Sequence, residues 1–125
     1  MKIALILRIL ALICVLAGLQ SAPALAVESR TQPWFRWSDT ETPVSRPHGQ
    51  YFVVTFINRY HMPVKIYWLS PDGQRTYYYE IVPGASRPQK VRDGAVWIAT
   101  DAQDESLGYF VIKESIKQAV IPHNE

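Results

Sequence analysis

Cysteine is all but absent from this chain of 125 residues, which has only Cys14, inside its N-terminal apolar segment. The rest of the chain can therefore form no disulfide, no thiolate metal site and no cysteine nucleophile. Leu12-Ile13 before that cysteine lack the small residue that bacterial lipoprotein processing wants, so no lipid anchor is expected there. Long apolar runs are also missing: the stretch Ile9 to Leu19 falls short of the ~20 residues that span a bilayer. There is no internal repeat, no low-complexity tract, and no 3.6-residue periodicity sustained enough for a helix. Basic runs interleaved with aromatics, the footprint of a phosphate-tracking protein, are absent too, so nucleic acid is not an expected partner.

The signals of chemistry are equally sparse. Ser86, Ser106 and Ser115 sit in no nucleophile-elbow context, and no carboxylate pair stands out for acid-base work. His48, His61 and His123 are scattered over a loop, a turn and the tail, without the spacing by which two would share a metal. Asp101, Asp104 and Glu105 crowd one loop, but their spacing does not match the alternating oxygen ligands of a calcium loop, and a solvated acidic turn is expected. The expectation is a protein that is not an enzyme, with no metal and no cofactor.

What is present begins with a secretory signal. Met1-Lys2 and Arg8 precede the apolar run, and Ala24 and Ala26 put small residues at both positions a signal peptidase inspects, predicting a signal peptide over 1–26. Cleavage there removes Lys2 and Arg8 from the thirteen lysines and arginines, leaving eleven against eleven aspartates and glutamates. The mature chain is then formally neutral and not membrane-inserted. Its location is expected to be periplasmic or extracellular, and a disulfide-free exported domain this small favours a bacterial origin.

The remaining residues divide in two. An N-terminal arm over 27–49 is polar and holds Pro33, Pro43 and Pro47 around the cluster Trp34-Phe35-Arg36-Trp37. Trp34 and Trp37 are expected to pin it over an open sheet edge; the competing reading is a flexible recognition arm. From residue 50 onward, short β-branched and aromatic runs predict strands over Tyr51–Ile57, Val64–Leu69, Arg75–Val82, Gln89–Arg92, Ala95–Thr100, Leu107–Lys113 and Ile116–Ile121. Asp72-Gly73 and Asp93-Gly94 are expected in tight hairpins, and Pro83-Gly84 in a turn. Strands recurring about every ten residues suit a single all-β domain over 50–125, a β-sandwich or small barrel. Tyr77-Tyr78-Tyr79 places rings on both faces of one strand, so at least one ring should meet solvent or a partner.

From Phe52 to Val111 the order of residues resembles the von Hippel-Lindau β-domain family, in its stand-alone exported bacterial type. The resemblance rests on Phe56-Ile57-Asn58-Arg59, Pro63-Val64, Tyr67-Trp68-Leu69, Asp72-Gly73, Tyr78, Pro83-Gly84, Gly94, Trp97, Thr100-Asp101 and Gly108. It implies a β-sandwich of seven or eight strands and a ligand pocket with an aromatic wall, whose matching positions are Trp68, Tyr78 and Trp97. The family's serine and histidine that hold a ligand hydroxyl are replaced by Val91 and Ala95, so hydroxyproline selectivity does not carry over. Neither a counterpart of the helical region through which the tumour suppressor joins a ubiquitin ligase nor such a partner is expected.

Three functions compete. The leading one is a binding module in which Trp68, Tyr78 and Trp97, with Val91 and Ala95 behind them, receive a proline-containing or otherwise extended peptide. The second is a structural or accessory envelope domain with the same rings buried as core, and the third is glycan binding by aromatic stacking. A ligand site requires at least two of the three rings to be accessible around a concavity; a structural role has them sealed.

Overall fold

The computed structural model describes residues 30–39 and 42–124; the expected signal peptide and its cleavage site lie outside them. The described chain is all-β, with eight strands in two sheets: β1 Trp34–Arg36, β2 Tyr51–Asn58, β3 Val64–Leu69, β4 Arg75–Ile81, β5 Ser86–Arg92, β6 Val96–Thr100, β7 Ser106–Val111 and β8 Gln118–Ile121. One sheet has the order β1-β7-β6-β3-β4 and the other β5-β2-β8, the arrangement of a β-sandwich. Every pairing is antiparallel except that of β2 with β8.

Alternation places the core. In β2, Val54, Phe56 and Asn58 are fully buried while Tyr51 and Val53 point out to solvent. They meet Trp97, Ala99 and Phe110 from the facing sheet, with Phe56 ring centroids 5.5 Å from Trp97 and 5.9 Å from Phe110. β6 lies at the centre of its sheet and is buried on both faces. Its outward Val96 and Ile98 form a second apolar cluster with Leu69, under Trp37, Tyr67, Tyr109 and Val111.

Buried polar side chains clamp the loops. Asn58 Nδ2 donates to the carbonyls of Met62 and Ile81, both at 2.9 Å, and its Oδ1 accepts from Tyr60 N at 2.8 Å. Gln32 does the same for the segment after β7, donating to the carbonyls of Lys113 (2.8 Å) and Ile116 (2.7 Å) and accepting from Lys113 N at 2.8 Å. A side-chain amide suits both places because it both donates and accepts, as the backbone does.

The N-terminal arm joins the fold more intimately than a pinned flap. Trp34–Arg36 is itself an edge strand on β7, with Trp34 against Phe110 on the inner face at 5.0 Å and Trp37 beside Tyr109 on the outer face at 6.2 Å. Beyond it, Ser45 Oγ accepts from Val96 N at 2.7 Å and Arg46 N donates to Gly94 O at 3.2 Å. The described part of the arm is thus docked rather than free.

One turn expectation is corrected. Gly73, Gly84 and Gly94 all have φ between 81° and 88°, as expected of their turns. Asp72-Gly73 closes the β3–β4 hairpin, but Asp93-Gly94 joins β5 to β6, which belong to different sheets. The dipeptide supplies positive φ in either setting, and whether the next strand pairs back or crosses over is decided by distant contacts.

Candidate functional site

β4 departs from regular alternation at one residue. Ile66 pairs with Tyr79 and Tyr67 with Tyr77, so Tyr78 is an extra residue with no partner on β3. In such a bulge two successive side chains fall on the same face. Tyr77 accordingly lies outside, 5.5 Å from Tyr67, while Tyr78 and Tyr79 both turn inward. The Tyr78 ring stands 4.7 Å from Trp97 at an interplanar angle of 67°, an edge-on contact. Tyr79 closes the sandwich below it, its hydroxyl 2.8 Å from Gln89 Oε1 and its ring under the Arg87 guanidinium at 4.1 Å.

Above that closure the two sheets part, and a cleft of about 300 Å³ opens between the edge strands β4 and β5. All five residues singled out in the sequence line it: Trp68, Tyr78, Val91, Ala95 and Trp97. They do so unequally. Trp97 is only 3% exposed, and it belongs to the core cluster together with Val91 and Ala95. Tyr78, at 41%, and the partly exposed Trp68 form the accessible wall. Two of the three rings are open to the cleft, and the third, Trp97, is a core residue that forms its floor.

The rest of the lining was not foreseen. Pro71 closes one part, Pro47 and Arg46 come from the arm, and Tyr51, Lys90 and Arg92 form the rim on the other sheet. On β5, Arg87, Gln89 and Val91 turn inward, so Lys90 and Arg92 alternate outward and stack on Tyr51, with cation-to-centroid distances of 4.7 and 4.3 Å. Arg92 Nη1 donates to Pro47 O at 3.0 Å, and Arg46 pairs with Asp93 at 3.0 Å. Arg92 Nε and Trp97 Nε1 are buried donors without a hydrogen-bond acceptor in the protein. The alternation of Lys90 and Arg92 around Val91 was readable in the sequence. Their meeting with Tyr51 was not, because it depends on the non-consecutive β2–β5 pairing.

The other groups considered in the sequence fall elsewhere. Asp101 Oδ1 accepts from the backbone N–H groups of Gln103 and Glu105, both at 2.9 Å, which is turn chemistry. Asp104 accepts from the Tyr67 hydroxyl and from Lys65 Nζ at 3.2 Å. Those two hydrogen bonds hold the Asp104 carboxyl below its ordinary range, and the same bond to Asp104 pushes the Tyr67 hydroxyl up to about 12. Burial raises Tyr79 to about 12 as well. His61 and His123 border one shallow depression with Asn58 and Gly84, but among the described residues no three metal-ligating side chains come together. No helix among them is long and apolar enough to cross a membrane.

In comparisons with known proteins, no family model and no curated protein matches this chain.

Proposed function

We propose that this protein is an exported, non-catalytic binding module whose cleft receives an extended, proline-containing peptide without selecting for hydroxyproline. One observation carries the reading: a cleft with an accessible aromatic wall, Trp68 and Tyr78 over Trp97, opens between two strand edges that are not paired with each other. Flat rings offer a proline large contact at low entropic cost, and the edge of β4 offers backbone groups to a ligand strand. β5 is the poorer template because Pro88 lacks an N–H. Val91 and Ala95 present no hydrogen-bonding side chain to a ligand hydroxyl, whose burial without a partner costs ~1–3 kcal/mol.

The von Hippel-Lindau resemblance and a place in the periplasm or outside the cell belong to the same proposal, and two sheets with an edge cleft support it. The reading of a structural or accessory envelope domain draws its support from Trp97, which is core. An amide NMR titration with matched proline and hydroxyproline peptides separates the two. Binding predicts shifts clustered around Trp68, Tyr78 and Val91, no stronger for the hydroxyproline peptide than for the proline one, and lost in Tyr78→Ala, a variant whose fold is checked first because its ring covers Trp97. No shifts with either peptide would defeat the binding reading in favour of the structural one.

A further inference from the structure

The charge around the cleft is one-sided. Its lining includes Arg46, Lys90 and Arg92 and not one carboxylate. Asp93 answers Arg46 at 3.0 Å, but among the described residues neither Lys90 nor Arg92 has a carboxylate within salt-bridge distance. These two cations lie two residues apart on the same face of β5 and share one ring, Tyr51. Like charges gathered on one sheet face repel, and in a chain whose residues from 27 onward are formally neutral nothing in the overall composition demands the cluster. The aromatic ring and the Pro47 carbonyl hold the cations in place without cancelling them.

We infer that the cleft is built for an acidic ligand: an extended peptide whose aspartate or glutamate side chains flank the segment seated on Trp68 and Tyr78 and meet Lys90 and Arg92 at the rim. This rests on the peptide reading above and adds the ligand's charge to it. A peptide, rather than a compact anion, fits because Lys90 and Arg92 sit on β5, beside Tyr51 of β2, while the aromatic wall belongs to β3 and β4 across the cleft. A ligand that uses both must span the opening. Because Lys90 is solvent-exposed, complementarity here governs selectivity and encounter more than the final affinity, and salt weakens it.

The test compares one proline-centred peptide carrying flanking Asp/Glu, Asn/Gln or Lys residues, by calorimetry at ~20 and ~200 mM salt. For two rim contacts, the acidic peptide is expected to bind about fivefold to tenfold tighter than its amide counterpart at low salt, with the basic one weakest. That ratio should shrink in high salt, fall towards one in Lys90→Gln/Arg92→Gln, and reverse between acidic and basic peptides in Lys90→Glu/Arg92→Glu. Equal affinities for the acidic and amide peptides would overturn the inference and leave peptide binding standing. An acidic preference unchanged in both variants would also overturn it, by placing the anion elsewhere. Binding of none of the three peptides would bring down the peptide reading and this inference together.

Discussion

Replacing Asn58 tests whether one side chain holds together the end of the sandwich opposite the cleft. Asn58 is 0% exposed and satisfies the carbonyls of Met62 and Ile81 and the N–H of Tyr60, while its own backbone bonds Ala85 and Gly84 of the β4–β5 connection. Asn58→Leu keeps the branched shape of the side chain, with bulkier methyl groups in place of the amide, and removes all three side-chain bonds. The Ile81 carbonyl is buried and loses its partner at the full desolvation cost of ~1–3 kcal/mol, whereas the two part-buried groups can turn to water at ~0.5–1.5 kcal/mol each. The expected loss is about 2–6 kcal/mol, a large share of the ~5–15 kcal/mol that holds a typical domain. Asn58→Asp sharpens the test, since a carboxylate still accepts from Tyr60 N but repels two carbonyl oxygens. Burial raises the folded-state pKa of this new carboxyl, so its stability relative to wild type should be best at acid pH and fall as pH rises through that value. Urea unfolding of wild type and both variants at pH 4.5 and 8, followed by circular dichroism, measures these differences. A Leu variant within ~1 kcal/mol of wild type, or an Asp variant as stable as wild type at pH 8, would refute the assignment.

Two further outcomes follow from the geometry. A Cβ at Gly108 would lie 2.2 Å from Trp34 Cζ2 and 2.5 Å from the Phe35 carbonyl oxygen, so Gly108→Ala should strip β1 from β7. The expected cost is ~1–3 kcal/mol, with hydrogen exchange accelerating at residues 34–37 and little changed in β3 and β6; unaltered exchange at Phe35 and Trp37 would contradict it. Tyr67 and Tyr79 are raised to about 12, so between pH 10 and 12 the folded chain keeps protons that the unfolded chain has released. Stability that is complete below pH 10 should therefore decline as pH rises through this window, while ultraviolet titration shows both phenols still neutral at pH 11; ionisation of all seven tyrosines near pH 10 would be the contrary result.

The sequence was legible where a local pattern decides the structure. Val64 to Leu69 alternates, and β3 has those bounds. β5 begins at Ser86 rather than Gln89 because Ser86-Arg87-Pro88 carries no strand signal, and β2 recruits it by pairing. β1 went unread for a similar reason: three residues among prolines and polar groups become a strand only because β7 offers an edge. At the site, the aromatic residues and the apolar Val91 and Ala95 were located through a family resemblance, while the cationic rim came from the arm and from a long-range pairing that no window of sequence contains. The bulge at Tyr78 was likewise invisible, since three consecutive tyrosines read the same whichever of them is the extra one.

That extra residue has a consequence for how β4 tolerates change. Deleting a residue within a strand ordinarily inverts everything beyond it. Here the six residues of β3 already pair with all of β4 except Tyr78, so a chain shortened at that position would keep Arg75 opposite Leu69, Thr76 opposite Trp68 and Ile81 opposite Val64. The sheet would close without a bulge, and Arg75 would stay over Trp37, where its guanidinium now sits 5.0 Å from the ring. Tyr78 is thus surplus to the pairing of its own strand: the ladder is complete without it, and what it adds is a ring set against Trp97 at the mouth of the cleft.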